Sequence, residues 1–255
     1  MEGGRTRAGS GCDRDGHISP QANAADHAAQ SSPSWSYHGE TGAGKWGDLA
    51  QDYAMCKLGK EQSPIDIRDV VDADLPAIAF DYRQSVANVI NNGHTIQVDL
   101  ADGGTIALQD GKYKLLQFHF HTPSEERIDG KAYPLVAHLV HRSDAGRLAV
   151  VGVLFEVGEH SPLLEKVFST MSARVGTAIK IPGGIQANAL LPAERSYYAF
   201  AGSLTTPPCT EGVQWRILKQ PMQISAEQLQ AFQQLYPMNA RPVQPLNGRP
   251  VQSGG

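Results

Sequence analysis

From Trp35 onward the chain is divided by Gly, Asp, Asn and Pro into short apolar and β-branched runs, a pattern that favours many short strands over long helices. "NVINNGHTIQVDL" alternates apolar and polar residues around an Asn-Asn-Gly turn signal. "GTIALQDGKYKLLQFHFH" repeats the alternation around Asp110 and Gly111, a pair suited to a tight hairpin turn. "YPLVAHLVHRSDAGRLAVVGVLFEV" supplies two further strands around "SDAG". Only "PLLEKVFSTMSARV" and "SAEQLQAFQQLYP" carry apolar residues at helical spacing, each with a serine placed to cap the first turn. The predicted architecture is mostly β.

The chain has 255 residues, 41% of them hydrophobic, enough for one sizeable core. With 22 basic and 26 acidic side chains the formal charge is −4, which suits neither a phosphate-binding surface nor a polybasic membrane anchor, so nucleic acid is not an expected partner. The longest strongly apolar stretch, "LAVVGVLF" at residues 148–155, falls far short of the roughly 20 residues that cross a bilayer. It reads as a buried strand, and no membrane span is expected. Residues 1–34 are rich in Gly, Ala, Ser and Asp without hydrophobic periodicity, so a disordered N-terminal tail is expected. They lack the apolar centre of a secretory signal, so either export is absent or the true leader is missing from this stretch. Cys12 lies in that tail. Cys56 and Cys209 lie in the folded part, where they form one bridge in an oxidising compartment or stay as two buried thiols.

"QFHFHTPSEE", residues 117–126, concentrates the chemistry. Residues two apart in a strand face the same way, so His119 and His121 share one face and Phe118 and Phe120 the other. His138 in "LVAHLVH" joins the pair if the two strands are antiparallel neighbours. Three neutral imidazoles suit zinc and leave its fourth tetrahedral position for water, as in catalytic rather than structural sites. His141 is expected on the opposite face as a hydrogen-bonded histidine without a metal role.

"GSLTTPPCTEGVQWRI" at residues 202–217, taken with "QSPIDI" at 62–67, "NNGH" at 91–94, "QFHFHTPSE" and "AHLVH", resembles the α-class carbonic anhydrases, specifically their bacterial exported branch. The matches run in order over residues 35–249. The resemblance implies a single domain over residues 35–250, built around a large twisted, mainly antiparallel central sheet with a few short peripheral helices. Residues 251–255 would be a flexible C-terminus. It implies one Zn²⁺ per chain on His119, His121 and His138, and reversible hydration of CO₂ to bicarbonate and a proton by zinc hydroxide. Thr205 would accept the hydroxide's hydrogen bond and give its own proton to Glu125, since an ionised carboxylate only accepts. Thr206 would help place bicarbonate. Val140, Val150, Leu204, Val213 and Trp215 would form the apolar wall for CO₂. His94 would shuttle the proton, with Tyr37, Asn92 and Gln97 ordering water and Gln117 supporting His119. A disulfide between Cys56 and Cys209, a periplasmic or secreted location, inhibition by sulfonamides and anions, and compatibility with a homodimer also follow from the resemblance.

Two positions depart from the family. A glutamate is expected two residues before His138, where this chain has Val136, and a histidine after the Glu125 position, where it has Glu126. Valine cannot accept the imidazole N–H that such a glutamate would take. The paired change predicts that Glu126 supplies the missing carboxylate. A binding protein of the same fold without turnover and a zinc ester hydrolase are the alternatives. The intact ligand positions with Glu125 and Thr205 weigh against the first, and the lack of any further nucleophile motif against the second.

Overall fold

A computed structural model describes Met1 and residues 34–254. Apart from Met1 and Ser34, the tail expected over residues 1–34, with Cys12, lies outside the described residues. Strands β1 (Ala87–Asn91) and β2 (Ile96–Leu100) form a hairpin in which Asn91 pairs with Ile96. Its turn needs Gly93 at φ +89°, a conformation that costs a glycine little. Strands β3 (Gly104–Leu108) and β4 (Gly111–His121) form the next, with Leu108 opposite Gly111. The linking residues are therefore Gln109 and Asp110, one position earlier than the expected Asp-Gly turn. Gly111 already belongs to the strand, and the Asp110 carboxylate is held by the Tyr113 hydroxyl and the Gln214 amide. Strands β5 (Leu135–Arg142) and β6 (Leu148–Val157) pair around "SDAG" as expected.

Strands β7 (Tyr197–Ser203) and β8 (Glu211–Leu218) are antiparallel neighbours. Across the sheet the order is β1, β2, β4, β5, β6, β8, β7. Every join in that series is antiparallel except β6 to β8, where Val150 pairs with Trp215 in parallel. A parallel join needs a long crossover, and the two peripheral elements between and after these strands cover the sheet. Helix Pro162–Phe168 is capped by the Ser161 side chain, and helix Ala226–Leu235 by a reciprocal capping box of Ser225 and Gln228. The first helix stops well short of the expected residue 175. Ser169 and Thr170 turn their hydroxyls back onto the Lys166 carbonyl, the local competition by which such side chains end helices. Among the described residues no helix is long and apolar enough to cross a membrane.

The C-terminal stretch 251–255, expected to be flexible, is strand over Gln252–Gly254, pairing antiparallel with β7 and parallel with Val71–Asp72. Burial of Val251 and a hydrogen bond from Lys219 Nζ to Ser253 Oγ anchor it. Alternation along β4 divides the molecule. Phe118 and Phe120 enter the main core, where Phe120 meets Phe168 and Phe232 of the two helices. Each such burial contributes about 2–3 kcal/mol. The intervening side chains of β4 face the opposite side, where the site lies.

Candidate active site

The register of the sheet assembles three histidines. His119 and His121 project from one face of β4, and on β5 His138 sits directly opposite His119. One nitrogen from each imidazole lies within 4.8 Å of those of the other two. The second nitrogen of each ring is already engaged. His119 Nδ1 is 2.9 Å from Gln117 Oε1, His121 Nδ1 2.7 Å from the Asn239 carbonyl, and His138 Nε2 3.0 Å from Glu126 Oε2. Those acceptors fix the tautomers and leave His119 Nε2, His121 Nε2 and His138 Nδ1 facing one point. His121 Nε2 is buried without a hydrogen-bond partner, an arrangement that costs free energy unless a ligand occupies the point.

The electrostatics suit a cation. Burial pushes His119 down to about 3 and His121 well below the ordinary imidazole value, so both rings are the neutral donors a metal needs. At His138 burial disfavours charge, but the carboxylates of Glu126 and Glu125 outweigh it and raise the pKa. Glu125 Oε2 is 3.4 Å from His121 Nε2 and 3.8 Å from His138 Nδ1. Its Oε1 accepts the Arg241 backbone N–H at 2.8 Å. Burial pushes Glu125 up to about 7, with neighbouring Glu126 acting in the same direction, while His138, the Arg241 amide and the Thr205 side chain pull it down.

Above the histidines opens a cavity of about 250 Å³. Val140, Val150, Leu204 and Trp215 supply its apolar lining, and Thr205 and Thr206 line it as well. Val213, expected on that wall, is buried in the apolar cluster that also holds Val150, Trp215 and Phe200. Val213 and Trp215 lie two apart on β8 in continuous register with Gly202 and Phe200 of β7, so they share one face. The polar side carries Tyr37, Asn92, His94, Gln97 and Gln117. Trp35 and Thr95 line it as well, and sequence reasoning gave neither a role. The Trp35 ring stacks on His94 with centroids 3.6 Å apart and planes 6° from parallel. His94 is half-buried, and that burial lowers its pKa.

Two more residues were invisible in the sequence pattern. Asn239, fully buried, supplies the carbonyl to His121 and donates its side-chain amide to the carbonyls of His94 and Phe120. Arg241 bonds the Cys56 carbonyl, Gln62 Oε1 and the Ser63 carbonyl through its guanidinium. Cys56 and Cys209 are joined by a disulfide. The bridge ties the threonine loop to the short helix Met55–Leu58, while Gln62 Nε2 donates to the Cys209 carbonyl at 3.0 Å.

A mostly β domain with three convergent imidazoles at the floor of a half-apolar cavity has the build of a metal-dependent enzyme. Structural zinc-type sites close with a fourth protein ligand. Comparison with known proteins narrows the class. Residues 41–254 match the family model described as eukaryotic-type carbonic anhydrase. Carbonic anhydrase of Pectobacterium carotovorum is 42% identical over 219 residues, 86% of this chain and 90% of its own length. That of Neisseria gonorrhoeae is 43% identical over 213 residues, 83% of this chain and 84% of its own. The α-carbonic anhydrase of Thermovibrio ammonificans, solved with the inhibitor sulfanilamide, superposes with a TM-score of 0.84 at 45% identity, covering 86% of this chain and 99% of that one. The chain belongs to the α-carbonic anhydrase family and is a carbonic anhydrase enzyme.

Proposed function

We propose that the chain catalyses the reversible hydration of CO₂ to bicarbonate and a proton at one Zn²⁺ held by His119 Nε2, His121 Nε2 and His138 Nδ1. The observation that carries the reading is the set of three imidazole nitrogens facing one buried point, each presented by a ring whose other nitrogen is committed. Bound there, Zn²⁺ supplies Lewis acidity that brings the pKa of a water ligand from about 15.7 to about 7, so that a strong nucleophile exists at neutral pH.

The remaining steps belong to the protein. Glu125 accepts the hydrogen bond of the Thr205 hydroxyl, which would leave the Thr205 oxygen as an acceptor toward a nucleophile held by the metal and fix its direction. Val140, Val150, Leu204 and Trp215 hold CO₂ without polar contacts, as befits an uncharged substrate. Thr206 orients the product. His94 receives the released proton through water ordered by Tyr37, Asn92 and Gln97, and passes it to buffer. Gln117, the Asn239 carbonyl and Glu126 hold the three ligand rings. An oxidising compartment, periplasmic or extracellular, fits the Cys56–Cys209 disulfide.

Metal analysis and stopped-flow CO₂ hydration on one preparation test the reading. One zinc per chain with hydration activity is expected, and His121→Ala is expected to lose most of both. Full zinc occupancy and full rate in that variant would overturn the ligand assignment. Zinc bound without hydration would instead favour a binding protein of this fold.

A further inference from the structure

On the polar side of the cavity lies a chain of side-chain amides whose direction is fixed at both ends. The backbone N–H groups of His94 and Thr95 donate to Asn92 Oδ1 at 3.0 and 2.9 Å. Asn92 therefore has only its NH₂ to offer onward, and Nδ2 donates to Gln97 Oε1 at 3.3 Å. Gln97 must then present its own NH₂ to the next partner, and Nε2 donates to Asp99 Oδ1 at 2.7 Å. A backbone N–H only donates and a carboxylate only accepts. Asp99 at one end and the turn at the other thus impose a single polarity on both amides between them. The register of β2 on β4 places Gln97 opposite His119 and Asp99 opposite Gln117, so the chain runs from beside the metal ligands to the turn carrying His94.

We infer that Asp99 is a positioning residue for proton transfer, acting through Gln97 and Asn92. The inference rests on the proposed shuttle role of His94. With the amides locked, cavity water meets one fixed pattern of donors and acceptors along the wall, and the His94 turn is held by an acceptor that cannot rotate away. Without an acceptor at position 99, the Gln97 amide loses the partner that orients it. Asn92 then loses the partner that holds its carbonyl on the turn.

The test compares Asp99→Leu, and Asp99→Ala as a second acceptor-free variant, with Asp99→Asn, whose carbonyl oxygen can still accept. In the acceptor-free variants kcat, which contains the proton-transfer steps, is expected to fall about threefold to tenfold. Meanwhile kcat/KM for CO₂ should stay within about twofold of the parent. Excess imidazole in solution should restore kcat, because a free carrier bypasses the ordered path. In metal-free protein, hydrogen exchange at the His94 and Thr95 amides should quicken about fivefold, the loss of roughly one net hydrogen bond. Asp99→Asn should stay near the parent in every readout. Unchanged kcat and unchanged exchange in the acceptor-free variants would overturn the inference, as would a parallel fall of kcat and kcat/KM that imidazole does not rescue. His94→Ala separates the two readings. If it keeps full kcat, the shuttle role falls and this inference falls with it. If it loses kcat while the Asp99 variants do not, only the role of Asp99 is refuted.

Discussion

Replacing Glu126 by glutamine tests how the chain compensates for Val136. Glu126 Oε2 lies 3.0 Å from His138 Nε2, both groups are buried, and Glu126 Oε1 has no other partner. The carboxylate is thus dedicated to the imidazole. A hydrogen bond to a charged acceptor is worth about 1.5–3 kcal/mol and a neutral one about 0.5–1.5. The amide should therefore cost about 1–2 kcal/mol, or roughly 5- to 30-fold in zinc dissociation constant. That range overlaps the roughly 10–100-fold cost typical of losing a ligand's outer partner. Competition against a fluorescent chelator reads the constant directly. Val136→Glu alone should not tighten zinc, because it buries a second carboxylate next to the first and one of the two takes up a proton. The double change Glu126→His with Val136→Glu restores the family's arrangement and should recover the affinity that Glu126→His alone loses. If Glu126→Gln is folded and binds zinc as tightly as the parent, the compensation argument is wrong.

Three further outcomes follow from other parts of the molecule. Cys56→Ser with Cys209→Ser opens a bridge spanning 153 residues and should lower stability by up to about 5 kcal/mol in urea unfolding; no loss would mean that the bridge contributes little. An aromatic sulfonamide should inhibit hydration, and Thr205→Ala should weaken both turnover and inhibition, measured on the same stopped-flow signal. His141 accepts from the Tyr82 hydroxyl and donates toward the Ala149 carbonyl, and burial pushes its pKa down to about 3. Below pH 6.5 the unfolded chain takes up that proton before the folded chain does. Metal-free protein should therefore lose stability as pH falls from 6.5 toward 3, with this residue contributing up to about 1.4 kcal/mol per pH unit. His141→Phe should flatten the slope by that amount, and an identical slope would show that His141 does not carry it.

Local order was legible in the sequence where one short segment contained its own instructions. The hairpins around Gly93 and around "SDAG" combine alternation with turn residues, and the serine caps of both helices sit beside the first helical turn. The three convergent histidines were legible because alternation on two adjacent antiparallel strands fixes their common face. The parallel join of β6 to β8 and the pairing of Gln252–Gly254 with β7 were not. Such contacts are chosen by tertiary packing among segments far apart in sequence, and no periodicity marks them. Asn239 and Arg241 reach His121 and Glu125 through backbone groups in a stretch without regular structure, and almost any residue type could supply those groups.

The dependence of His121 on the Asn239 carbonyl and of Glu125 on the Arg241 amide spans 118 and 116 residues. A ribosome delivers the histidines long before it delivers these partners. A nascent chain halted before Asn239 would display three potential ligands with one ring free to choose the wrong tautomer and a Glu125 carboxylate without the Arg241 amide on its far oxygen. On the proposed reading, correct metallation is a late event in the life of each molecule, reached only once its final stretch has docked, and a nick or premature stop there is expected to silence chemistry assigned to residues more than a hundred positions upstream.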